Sequence, residues 1–87
     1  MTIEHAVLRK ELMQTIIDNT DARVESVVTT TDVYGVLSIT VVIDDEHPQI
    51  TDVIEEALAG YGIVPTRWMT NPWKESWLKI MIWANQT

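Results

Sequence analysis

The residue pattern of this chain predicts an α+β fold: a single two-layer αββαββ domain, with both helices on one face of a four-stranded, mainly antiparallel sheet. Three observations carry that prediction. Residues 50–61 keep a helical rhythm of apolar positions, residues 23–43 hold two long β-branched runs, and residues 77–84 alternate strictly between two side-chain sets. A chain of 87 residues is enough for one core and little more, so residues 1–87 are read as one domain.

The first element is a helix from about Ile3 to Asn19. On a helical projection Ala6, Met13, Ile16 and Ile17 fall together, with Ile3 and Val7 on one flank and Leu8 and Leu12 on the other. That sector is wider than one packing face needs. "DNTD" ends it with residues that favour caps and turns. Two strands follow, "RVESVVTTT" and "YGVLSITVVI", separated at Thr31-Asp32-Val33. In the second, Leu37, Ile39, Val41 and Ile43 form the better core face, opposite the half-polar set Val36, Ser38, Thr40 and Val42.

The second helix is the clearest element. Ile50, Val53, Ile54, Ala57, Leu58 and Tyr61 hold one face, Pro48 suits the first helical position, and Gly60 or Gly62 suits the end. "IVPTRWM" and "SWLKIMIWA" complete the sheet, with Asn71-Pro72 in "TNPWKE" marking the turn between them. The same order would arise from a ferredoxin-like βαββαβ fold whose first strand had moved to the end, an architectural statement that carries no function.

Composition narrows the biology. The chain has no cysteine, so neither a disulfide nor a thiolate zinc site can form. No apolar run is long enough for a membrane span, and the mixed charges of "MTIEHAVLRKEL" do not read as a signal peptide, so a cytoplasmic location is expected. The net charge of −7 is unevenly spread: residues 1–60 hold twelve acids against Arg9, Lys10 and Arg23, whereas residues 61–87 hold Arg67, Lys74 and Lys79 against Glu75 alone. The acidic part repels phosphates, which makes nucleic acid an unfavoured partner, and otherwise serves solubility or attracts a basic surface.

The aromatic residues are concentrated late. All four tryptophans lie between residues 68 and 83, and phenylalanine is absent. In the last strand Leu78, Ile80, Ile82 and Ala84 form an uncharged set, and Trp77, Lys79, Met81 and Trp83 form the other. A lone lysine is rarely buried unpaired, so the aliphatic set is expected to face the helices and the tryptophan set the open side. Trp73 is expected on the adjoining loop, Arg67 and Met69 share one face of the preceding strand, and Trp68 takes the other, with its register open. Tryptophan, methionine and arginine are enriched at interfaces, so Arg67, Trp73, Trp77, Lys79, Met81 and Trp83 are the candidate partner-binding residues. The competing reading places the tryptophans in the core of a domain that lacks phenylalanine.

Other chemistry finds less support. Asp44, Asp45, Glu46 and His47 are too compact for all four to converge on a cation and are explained by helix capping and dipole. With Asp52, Glu55 and Glu56, the three carboxylates Asp44, Asp45 and Glu46 make a candidate acidic surface. Ser26, Ser38 and Ser76 lie in no nucleophile elbow, and Glu55 and Glu56 point apart as helix neighbours. "AGYGIVP" follows a helix instead of opening one, so it is no phosphate loop. No cofactor, metal or catalytic set is expected.

The expectation is therefore a small acidic, non-enzymatic protein-interaction protein of inhibitor, antitoxin or adaptor type, viral ones included. It would act on a protein partner or on itself as a homodimer, through the tryptophan face, the acidic surface or both. The broad apolar sector of the first helix offers another surface for self-association. The alternative is a dimeric regulatory or ligand-binding domain, with tryptophan clefts and the "HPQITDV" helix start as its ligand contacts.

Overall fold

A computed structural model describes residues 4–44, 47, 49–74 and 77–85. The elements are α1 (His5–Asn19), β1 (Val24–Thr31), β2 (Val36–Ile43), α2 (Ile50–Ala59), β3 (Val64–Trp73) and β4 (Trp77–Asn85). The strands form one sheet in the order β1-β2-β4-β3, with each neighbouring pair antiparallel. This is the expected αββαββ arrangement, and its strand order is compatible with a ferredoxin-like sheet whose first strand has moved to the end of the chain. Among the described residues no helix is long and apolar enough to cross a membrane.

The core lies between the helices and one face of the sheet. Leu37, Ile39, Val41 and Ile43 of β2, with Ile80, Ile82 and Ala84 of β4, are fully buried and meet Leu8, Leu12 and Ile16 of α1 and Ile50, Ile54 and Leu58 of α2. The alternation read in both central strands is the alternation found, because a pleated strand must send successive side chains to opposite faces. The remaining stripe residues, Val53 and Ala57 in α2 and Tyr61 in the turn after it, pack at the edge of the same core.

Three expectations change. In α1 the buried stripe is Leu8, Leu12 and Ile16, whereas Ile17 is 47% exposed and Val7 40%. A two-layer domain covers only the sector of a helix that faces the sheet and the other helix, and the i, i+4, i+8 leucine-isoleucine row occupies it. Second, β3 continues through Asn71 and Pro72 to Trp73, and the reversal falls after it, where the Trp77 N–H bonds the Lys74 carbonyl at 3.1 Å. Proline is tolerated there because β3 is an edge strand with one unpaired side. Third, α2 starts at Ile50, with Asp52 as the acid of its first turn; Pro48 lies outside the described residues.

Polar contacts lock the loops and the helix–sheet junction. Thr29 is 93% buried beneath α1, where its hydroxyl accepts from Arg9 Nη1 at 3.0 Å and lies 2.9 Å from His5 Nδ1, while Thr31 Oγ1 lies 3.0 Å from His5 Nε2. Tyr61 donates to Glu11, tying the end of α2 to α1. At the β1–β2 turn the Asp32 carboxylate accepts from the backbone N–H of Tyr34 at 2.8 Å and of Val36 at 3.0 Å, and Gly35 takes φ +82°, a conformation that favours glycine.

Candidate functional site

The face of the sheet turned away from the helices is built by register. Trp83 pairs across strands with Ser38 and Arg67, Met81 with Thr40 and Met69, and Lys79 with Val42 and Asn71. Residues directly opposite in an antiparallel ladder share a face, so these side chains form one surface. Trp77, Lys79, Met81, Trp83 and Met69 are half-buried, and Arg67 is exposed. The Arg67 guanidinium stands 5.0 Å from the centre of the Trp83 ring, a cation–π arrangement. Beside them Val42 is buried although it points away from the core, under cover of its neighbours on this face.

The tryptophans thus divide into two groups. Trp68 pairs with Ile82 and packs against the core, on the helix side. Trp77 and Trp83 lie on the open side, outside the core cluster. Residue 73, expected in a loop, is the last residue of β3 and stands in register with Trp77. The alternation of β4 placed its own residues, but the side taken by Trp68 depends on the β3–β4 register, which includes a shift between Pro65 and Arg67.

The open face has two halves. The β4–β3 half is aromatic and thioether-rich; the β1–β2 half presents Ser26, Thr30, Ser38 and Thr40, with Val28 50% exposed among them. On the β3–β4 half of this face the charged residues are Arg67 and Lys79, and Glu25 is exposed on β1 at the register shift beside Ser26. In a chain of net charge −7 this makes the β3–β4 half of the open face locally cationic. Glu11, Asp18, Asp52, Glu55 and Glu56 are exposed on the helical side instead.

The candidate acidic residues lie on and before the second helix. Asp52, Glu55 and Glu56 ride on α2, and Asp45 and Glu46 lie outside the described residues. Asp44 serves the fold: its Oδ1 accepts from the Arg23 backbone N–H at 3.1 Å and lies 3.2 Å from His47 Nε2. The Arg23 backbone hydrogen bond is the main cause that holds the Asp44 carboxyl below its ordinary range; it outweighs the opposing effect of burial, with the His47 contact adding to it. Nearby, Asp18, Asn19, Thr20, Asp21, His47 and Gln49 line an open hollow of about 470 Å³. Among the described residues no three His, Asp or Glu side chains converge to hold a metal ion.

One exposed feature was not anticipated from the residues. Val33 and Tyr34, at the tip of the β1–β2 turn, are 92% and 88% exposed, and the Asp32 hydrogen bonds hold them in a defined turn. Their signal was local: two large apolar residues between an Asx-turn aspartate and a glycine. The tip lies at the end of the sheet where Trp83 and Arg67 sit. Compared with protein-family models, curated proteins and solved structures, the chain matches none.

Proposed function

We propose that this chain is a non-enzymatic interaction protein, of inhibitor, antitoxin or adaptor type, that captures another protein on the open face of its sheet. The observation supporting this reading is the segregation of Trp77, Met81, Trp83, Arg67 and Lys79 onto a face that neither helix covers, in a chain whose other charges are mostly acidic. Such a face suits a partner that offers apolar surface with carboxylates beside it. Arg67 and Lys79 would meet the carboxylates, and the rings and thioethers would supply the desolvated centre.

Size bears on how the face is used. Four strands about 4.8 Å apart and about 30 Å long give a flat area of roughly 570 Å², of which the aromatic half is about half. A standard interface takes about 800 Å² of accessible surface from each partner. The aromatic half is therefore too small alone, and the hydroxyl-rich half, with the Val33–Tyr34 tip, would serve as the rim. Nucleic acid fits poorly: two cations on the face cannot offset the repulsion of the remaining acids.

The test is capture by the immobilised full chain, compared with R67E/K79E and W77S/W83S variants whose far-UV circular dichroism is checked first. A partner retained by the parent, weakened by charge reversal and lost from the folded tryptophan variant supports the reading. Equal retention by the parent and both folded variants refutes it.

A further inference from the structure

The two edges of the sheet are unequally protected. β3 carries Pro65 and Pro72, a register shift between Pro65 and Arg67, and the Arg67 charge. These are the devices that stop an edge strand from pairing with another chain. β1 has one shift, between Val24 and Ser26, where the charged Glu25 sits, and then a run Ser26–Thr31 with neither proline nor charge. The Asp32 N–H bonds the Val36 carbonyl at 3.1 Å. Alternation from that bond turns the N–H and C=O groups of Ser26, Val28 and Thr30 towards β2 and those of Val27, Thr29 and Thr31 outwards.

The flank of α1 above this edge is mostly apolar, with one lysine. Arg9 reaches Thr29 and so marks the β1 side of the helix, whereas Glu11, bonded by Tyr61, marks the α2 side. One step outward from Arg9, Ala6, Lys10, Met13 and Ile17 follow a 4-3-4 spacing and form one row. Ile17 is 47% exposed there, although it is a β-branched apolar residue on a helix that already has its core stripe.

We propose that β1 pairs antiparallel with β1 of a second copy of this chain, about a two-fold axis at Val28, giving a continuous eight-stranded sheet. With Val28 facing Val28 of the partner subunit, Val27 and Thr29 exchange hydrogen bonds with Thr29 of the partner subunit and Val27 of the partner subunit, the residues whose backbone groups point outward. The helices fit the same operation. Strands about 4.8 Å apart and helices about 10 Å apart place the α1 axis about 2 Å inside β1, so the two α1 axes stand about 9 Å apart across the two-fold, within the 8–10 Å of packed helices. In that antiparallel contact Ala6 faces Ile17 of the partner subunit and Lys10 lies along Met13 of the partner subunit, small against large and an alkyl stem against a thioether.

The two registers also agree along the axis. His5 stands over Thr29 and Thr31. From there the helical row's midpoint, between Lys10 and Met13, is about 10 Å away, or about three strand residues, which brings it level with Val27 and Val28. A second copy fits this edge, whereas a two-fold on the open face would bring the cations Arg67 and Lys79 towards their own copies. The pairing goes beyond the proposed partner capture and leaves it possible. A two-fold normal to the sheet keeps both tryptophan faces on one side, with the β4 strands about 24 Å apart.

Sedimentation equilibrium of the full chain over a wide concentration range tests this, with V28K, I17K and M81K variants and circular dichroism to confirm folding. The parent is expected at twice the 9.9 kDa chain mass at high concentration. V28K sets two ammonium groups opposite each other at the axis, and I17K breaks the helical contact, so each folded variant should dimerise at least tenfold more weakly. M81K, on the open face, should leave the dimer unchanged. A parent that stays monomeric overturns the proposal. So does a dimer that survives both V28K and I17K, or one broken by M81K and not by them, which would put the second copy on the open face.

Discussion

Adjacent residues of β4 offer the most direct check that one side of the sheet is core and the other is available. Ile82 is 0% exposed among the aliphatic residues beneath the helices, and Met81 is half-buried on the open face. Replacing each by threonine keeps a strand-compatible residue while introducing a hydroxyl. At Ile82 the change removes about two carbons of buried surface, about 1.6 kcal/mol, and buries an unpaired hydroxyl at about 1–3 kcal/mol, for a loss of about 3–5 kcal/mol. At Met81 the hydroxyl reaches solvent, and only part of a methionine side chain's burial is lost, so about 1 kcal/mol or less is expected. A domain of this length has a total stability of about 4–13 kcal/mol, so Ile82→Thr removes a large share of it. Urea unfolding followed by far-UV circular dichroism reads the difference. With a slope of about 1 kcal/mol/M, the midpoint should fall by about 3–5 M for Ile82→Thr and by about 1 M or less for Met81→Thr. Equal losses, or a larger one at Met81, would mean that the open face is itself a sealed core, and the interaction reading would go with it.

Three smaller perturbations test the local contacts. Thr29→Val is nearly isosteric but takes the hydroxyl from Arg9 and His5, and should cost about 1–2 kcal/mol by urea titration. Asp32→Ala leaves the Tyr34 and Val36 N–H groups of the exposed turn to water, and a loss of about 1 kcal/mol, or about 4–8 °C in Tm, is expected. Asp44 has its folded pKa held below the ordinary value near 3.9, so the stability it contributes is full above that value and is lost as pH falls through the lower folded value. The stability gap between the parent and Asp44→Asn should therefore be full at about pH 5 and close as pH falls below about 4; a gap that widened below about pH 4 would contradict the assignment.

The candidate face was readable wherever it depended on a single strand. Lys79 decided which side of β4 is open, because an ammonium group is too costly to bury unpaired, and the structure places Trp77, Met81 and Trp83 on that side. Trp68 was not readable, since its side follows from how β3 registers on β4. Neither was the position of residue 73: the Asn71-Pro72 pair reads as a turn in isolation and is accommodated as strand only because β3 lies at an edge.

By itself the sequence determined the order of the elements, the core face of α2 and the alternation of the two central strands, because each depends on periodicity within one segment. Tertiary structure alone decided which sector of α1 is buried, since a stripe wide enough for several contacts is resolved only by what packs on it. It likewise decided which strands are edges. β1 and β3 are both strand-like in composition, and their exposure to another chain follows from a sheet order set by long-range pairing. That order leaves the Ser26–Thr31 run unguarded and places the tryptophan-bearing strands side by side at the other side of the sheet.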